Sequence, residues 1–184
     1  MNGPLHTIGN VVGFQAVWLA SIAGAGQGLA WAGPLAAVLF VAATLAFGGK
    51  ARQDLRLLAV ALPLGILLDT AFAASGWLRY AEPWPWLWVA PVWIWSLWAG
   101  FALTLNHSLS FLRNRPWIAA GFGLVGGPLA YWTAAGAFDA VSFGVPILWV
   151  MLALAAGWAL VLPLLFGIDR RLAPPVPQAH EAPA

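Results

Sequence analysis

The chain has 184 residues, 62% of them hydrophobic and only 8% charged, with a mean hydropathy of +0.84. Soluble domains carry roughly 25% charged residues, so this composition excludes an ordinary soluble fold, which it could not cover with polar surface. The net charge of +2 comes from basic residues scattered in ones and twos, which excludes a nucleic-acid-binding face, and the absence of cysteine excludes disulfides, thiolate metal sites and thiol catalysis.

Apolar runs bounded by charges, prolines and glycines predict an all-α membrane bundle of about six helices, at 8–28, 34–48, 55–76, 86–112, 117–136 and 145–167. Residues 1–7 form a short leading segment, 8–168 one membrane domain, and 169–184 a disordered, proline-rich tail. Ala30-Trp31-Ala32 before Gly33 resembles a signal cleavage site. Residues 1–10 lack Lys and Arg, however, and Gln15 and Ser21 interrupt the apolar run, so the first helix is expected to be retained.

The first span carries Asn10 and Gln15 and small residues at four-residue spacing, Gly9/Gly13 and Ala20/Gly24/Gly28. The fifth span repeats that spacing in Ala119/Gly123/Gly127, so these two helices are expected to pack centrally. Pro34 and Pro116 fit first helical turns, while Pro63, Pro91, Pro128 and Pro163 lie within spans and predict kinks. In the third span Asp69 is the only acidic residue well inside a span. At that depth it must be protonated, paired or facing a wet cavity, and a tie to Thr, Gln or Trp is its bland reading.

The fourth span opens on a tryptophan cluster from Trp84 to Trp98. Trp77, Trp84, Trp86 and Trp88 suit the outer interface; Trp93, Trp95 and Trp98 would lie deeper, packing against neighbours or lining a pocket for an acyl chain or other flat apolar ligand. The span ends in Thr104-Leu-Asn106-His107-Ser108, where His107, the only histidine in any span, is suited to general acid or base work. Polar residues near a helix end also serve as interhelical hydrogen bonds. His6 and His180 are terminal and no carboxylate cluster accompanies His107, so no metal site is indicated; the sequence leaves any cofactor unknown.

With both termini in the cytoplasm, seven of the eight basic residues fall in cytoplasmic segments, leaving only Arg79 outside; the positive-inside rule therefore predicts an N-in, C-in arrangement. Asn10, Asn106 and His107 would then mark an inner polar level and Asp69 an outer one.

Asn10, Phe14-Gln15, Trp18, Leu67-Leu68-Asp69, Thr104-Leu105-Asn106-His107-Ser108-Leu109 and Gly126-Gly127-Pro128-Leu129-Ala130-Tyr131 together resemble the family catalogued as domain of unknown function 2878, over residues 8–168. The resemblance implies a bacterial inner-membrane protein and carries no catalytic residues.

The leading expectation is a lipid-facing enzyme or accessory factor in membrane-lipid modification. His107, Asn106 and Asp69 are its candidate catalytic residues, and Asn10, Gln15, Thr104, Ser108, Trp95 and Trp98 its candidate ligand contacts. Its expected partners are membrane lipid and either a membrane protein or a second copy, not nucleic acid. A proton- or cation-coupled transporter using Asp69, and a structural subunit of a membrane complex, are the alternatives.

Overall fold

The structure, a computed structural model describing residues 3–172, contains six helices: α1 (Pro4–Gly26), α2 (Ala32–Phe47), α3 (Ala51–Ala74), α4 (Val92–Leu105), α5 (Pro116–Phe138) and α6 (Ile147–Leu172). Short strands β1 (Leu78–Tyr80) and β2 (Val141–Phe143) pair antiparallel, Tyr80 opposite Val141. Helices α1, α3, α5 and α6 are long and apolar enough to cross a membrane, and α2 and α4 are shorter apolar helices. The expected all-α membrane bundle is what forms. Helix α1 begins at Pro4 and α6 runs through Leu172, so parts of the predicted leading segment and tail are helical. The rest of the predicted tail, from residue 173, lies outside the described residues.

Helix α4 is far shorter than the predicted span of 86–112. Pro83, Pro85 and Pro91 hold residues 81–91 out of helical geometry, and Pro91, expected inside the span, is instead the extended N-cap at φ −69°, ψ 160°. At the other end the Thr104 carbonyl accepts from both His107 N–H and Leu109 N–H, closing a turn that stops the helix. Asn106 and His107 therefore sit just beyond α4, not on it.

The expectation that α1 and α5 form the centre is also corrected. The central element is α4, which packs against α1, α2 and α3 and buries ten of its 14 residues. The small-residue stripes serve neighbouring pairs instead. A Cβ on Gly13 would strike the Phe40 ring of α2, and Cβ atoms on Gly123 and Gly127 would strike Trp158 of α6. Close backbone approach is what these glycines permit.

Helix α3 presents one continuous stripe, Asp54, Leu57, Ala61, Gly65 and Asp69, all buried at three- and four-residue spacing. Gly65 is required there because the Trp98 ring of α4 occupies the space of its side chain. The stripe places a carboxylate at each end of α4, about 22 Å apart along the helix axis. One end of the bundle gathers Lys50, Arg56, Arg113 and Arg170 and is called here the basic end; the other carries β1, β2 and the tryptophan-rich loop and is called the strand end.

Candidate functional site

At the basic end the turn after α4 delivers two polar side chains to Asp54. Asn106 Nδ2 donates to Asp54 Oδ1 at 2.8 Å, and His107 Nε2 lies 3.0 Å from Oδ2. A carboxylate only accepts, so the His107 proton belongs on Nε2, which leaves Nδ1 as an acceptor. His6 Nε2, on the first turns of α1, lies 3.0 Å from that Nδ1. The result is a chain, Asp54 to His107 to His6, running from a fully buried carboxylate to a half-buried imidazole.

Two further shells of contact hold this chain. Asn10 Oδ1 accepts from Ser108 Oγ–H at 2.7 Å and from Ser108 N–H at 3.2 Å, tying α1 to the same turn. Arg113 donates both to Asn106 Oδ1 and to Asp169, Arg56 Nε donates to Asp169 at 2.8 Å, and Lys50 donates to the Asn106 carbonyl. Asp54 and Asp169 are each buried and each matched by donors, as carboxylates removed from water must be.

At the strand end Asp69 accepts three hydrogen bonds. Tyr80 Oη–H donates to Oδ1 at 2.7 Å, Trp98 Nε1–H donates to Oδ2 at 2.6 Å, and Tyr131 Oη–H donates to Oδ1. The carboxylate thus ties α3, β1, α4 and α5 together. Burial, then the Asp69 carboxylate and Tyr131 beside it, push the Tyr80 phenol well above the ordinary tyrosine range.

An apolar groove of about 370 Å³, bounded by α1, α4, α5 and α6, runs from the middle of the bundle past Trp98 and Tyr131 to Val141 of β2 at the strand end. Phe14, Trp18, Trp98, Phe101, Gly126 and Trp158 contribute to its wall. Trp98 and Trp158 stack with ring centroids 4.7 Å apart and planes 9° from parallel. Gln15, Phe122 and Leu129 line the groove and are exposed, so its mouth opens sideways between α1 and α5.

The residues singled out from sequence therefore fall into three places. Asn10, Asn106, His107 and Ser108 converge at the basic end; Asp69 and Trp98 meet at the strand end; Gln15 lines the groove, as Trp98 also does. Thr104 is buried in the turn, its hydroxyl donating to Phe101 O at 2.6 Å. Trp95 Nε1 donates to Ala90 O at 2.7 Å, outside the groove lining.

Several partners escaped the sequence reading. His6, expected to be terminal, belongs to α1 and meets His107, so among the described residues the histidine carried on a helix is His6, while His107, expected within a span, stands in the turn after α4. Asp54 and Asp169, which the sequence does not single out because they lie near helix ends, are buried. The spacing of Asp54 and Asp69, which returns to nearly the same helix face, was the available signal. Tyr80 and Tyr131 carried no such signal, because β1 and α5 bring them to Asp69 through the fold. Among the described residues no group of three or more His, Cys, Asp or Glu side chains is arranged to hold a metal ion.

Comparison with known proteins adds one match. A family described as "Protein of unknown function (DUF2878)" covers residues 7–164. No curated protein matches the chain, and no solved structure does.

Proposed function

We propose a function for this chain, which belongs to the DUF2878 family: it is a lipid-facing protein of a cytoplasmic membrane that modifies a membrane lipid or serves the enzyme that does so. The observation that carries the reading is the Asp54–His107–His6 chain at the basic end. Under the positive-inside rule that end faces the cytoplasm, with both termini there and the helices passing back and forth through the bilayer. The chain then lies at the level of the lipid headgroups.

In this reading Asp54 orients His107 and stabilises its imidazolium, as a carboxylate does for a histidine base. A proton taken up by His6 Nδ1 releases the His6 Nε2 proton to His107 Nδ1, leaving His6 neutral and one positive charge on His107 against Asp54. Asn10, Asn106 and Ser108 fix the turn that carries His107. The transporter alternative receives less support, because the stripe between Asp54 and Asp69 consists of Leu57, Ala61 and Gly65 and offers no titratable step.

Comparative lipidomics tests the reading. A deletion strain should show altered lipid species, restored by the wild-type chain and not by His107→Ala or His6→Ala. Unchanged lipids in the deletion strain would remove the proposal.

A further inference from the structure

We infer that the His6–His107 contact is an acid-sensitive latch: it holds the first two turns of α1 against the turn after α4 at neutral pH and releases them when both imidazoles are protonated. The inference goes beyond the proposed function, because it concerns how this end of the bundle opens and holds whatever chemistry His107 performs.

A hydrogen bond between two imidazoles admits only certain proton counts. His6 Nε2 and His107 Nδ1 lie 3.0 Å apart, so one of these nitrogens carries the shared proton and the other presents a lone pair. With both rings neutral the proton sits on His6. One added proton moves it onto His107, whose Nε2–H still faces Asp54, and the bond survives with its direction reversed. A second added proton gives each facing nitrogen its own hydrogen. Two N–H groups, each on a cation, then point at one another and the contact breaks.

The surroundings favour one positive charge on the pair and not two. Asp54 of α3 stands behind His107, and it also accepts from Asn106. Asp169 of α6 is taken by Arg56 and Arg113. Lys50 donates to the Asn106 carbonyl and Arg170 to the Arg113 carbonyl, while Arg115, the N-cap of α5, is exposed. The end of α2 brings no charge, only Gly48, where a Cβ would come within 3.0 Å of His107 Cε1. On α1 itself His6 is the one titratable side chain, in a first turn that has no acidic residue and no side-chain cap. A cation there opposes the positive end of the helix dipole.

The same contact is the mechanical anchor of this segment. Of residues 3–9 only His6 is not exposed. The next anchor is Asn10, which is buried and bonded to Ser108 and to Leu103 O. Breaking the imidazole contact therefore frees residues 3–9 and leaves α1 attached from Asn10 onward.

The test uses the full chain in phosphatidylcholine nanodiscs. The chain has no cysteine, so Leu5→Cys, at an exposed position, takes a single nitroxide on the first turn, and Phe47→Cys, exposed at the end of α2, takes a control label. Label mobility is followed from about pH 8 to about pH 4.5, across the range in which imidazole titrates. The ratio of mobile to immobile label at Leu5→Cys should rise about tenfold per pH unit through the opening, as one proton is taken up, with Phe47→Cys unchanged. Thr7→Cys, also exposed, repeats the reading should Leu5→Cys fail to fold. Adding His6→Gln should remove the pH dependence, because an amide donates and accepts but does not titrate. Adding His6→Ala should leave the label mobile at every pH.

A label immobile throughout the titration, or still immobile at neutral pH in His6→Ala, would overturn the latch. So would an acid rise that survives His6→Gln or appears equally at Phe47→Cys, since either places the titration on Asp54, Asp169 or the fold at large. Mobility needs no turnover, so a working latch alongside unchanged lipids in the deletion strain would retire the lipid-modification reading and leave the latch standing. Altered lipids in that strain beside a label indifferent to pH would do the reverse.

Discussion

Replacing Asp69 by asparagine keeps the shape of the side chain and removes what its three partners require. The carboxylate accepts from Tyr80, Tyr131 and Trp98, each through a donor hydrogen. An amide has one acceptor oxygen and one NH2. Indole can only donate, so the amide oxygen must turn to Trp98, while the NH2 faces the two phenols, which can rotate and accept. Three charge-assisted bonds, each worth about 1.5–3 kcal/mol, become neutral ones worth about 0.5–1.5 kcal/mol, a loss of roughly 3 kcal/mol. Asp69→Leu should cost more, because Trp98 and both phenols then lose their acceptor in a buried setting. Thermal unfolding in detergent should show both variants less stable, with Asp69→Asn lowering Tm by roughly 6–12 °C at 2–4 °C per kcal/mol. Asp69→Asn as stable as the wild type would refute the reasoning, since the carboxylate charge would then contribute nothing.

Four other outcomes follow. Gly123→Ala should destabilise by about 1–3 kcal/mol because its Cβ meets the Trp158 backbone, whereas Gly126→Ala should lie within about 0.5 kcal/mol of wild type; paired unfolding midpoints check the contrast. Gly65→Ala should displace Trp98 from Asp69, seen as a change in tryptophan emission that Trp98→Phe abolishes. Asp169→Ala leaves Arg56 and Arg113 without their shared carboxylate and should cost about 3–5 kcal/mol, reduced by the partial exposure of both arginines, while Arg52→Ala, at an exposed position, should change little. The Tyr80 proton is held more tightly in the folded chain, so its contribution to stability is present below the unfolded tyrosine range and is lost as pH rises through the folded value. Alkaline unfolding should therefore be less steep with pH in Tyr80→Phe.

The helices were legible because apolar length is a strong signal: residues 117–136, read as a span, lie inside the α5 that forms, and all but the first two residues of 145–167 lie inside α6. The extent of the fourth was not. Its flanking prolines and tryptophans are as apolar as a span, and hydropathy cannot distinguish a proline-rich loop folded over the bundle from a helix passing through it. The two polar levels were legible from Asn10, Asn106 and His107 on one side and Asp69 on the other. Their partners were not, because Asp54, Asp169 and Arg113 resemble boundary charges until three helices close around them, and His6 gains significance only when α1 brings it to His107. The groove was half legible: Trp98 and Gln15 were named, but the opening between α1 and α5 exists because the glycine stripes bind these helices to other partners.

The brevity of α4 bears on the order in which the chain can assemble. Its 14 residues cover about 21 Å, roughly two thirds of a hydrocarbon core, so the polar groups at its ends would meet lipid if it stood alone. Partners for those ends come from both sides in sequence: Asp54, Asp69 and Ala81, the last accepting from Trp93, precede it, whereas Arg113 and Tyr131 follow. The middle of the chain therefore reaches its final surroundings last. A nascent chain arrested after Leu112 should leave the α4 flanks open to protease, and one arrested after the whole of α6 has emerged should protect them; equal protection at both lengths would show that α4 settles without the helices that follow it.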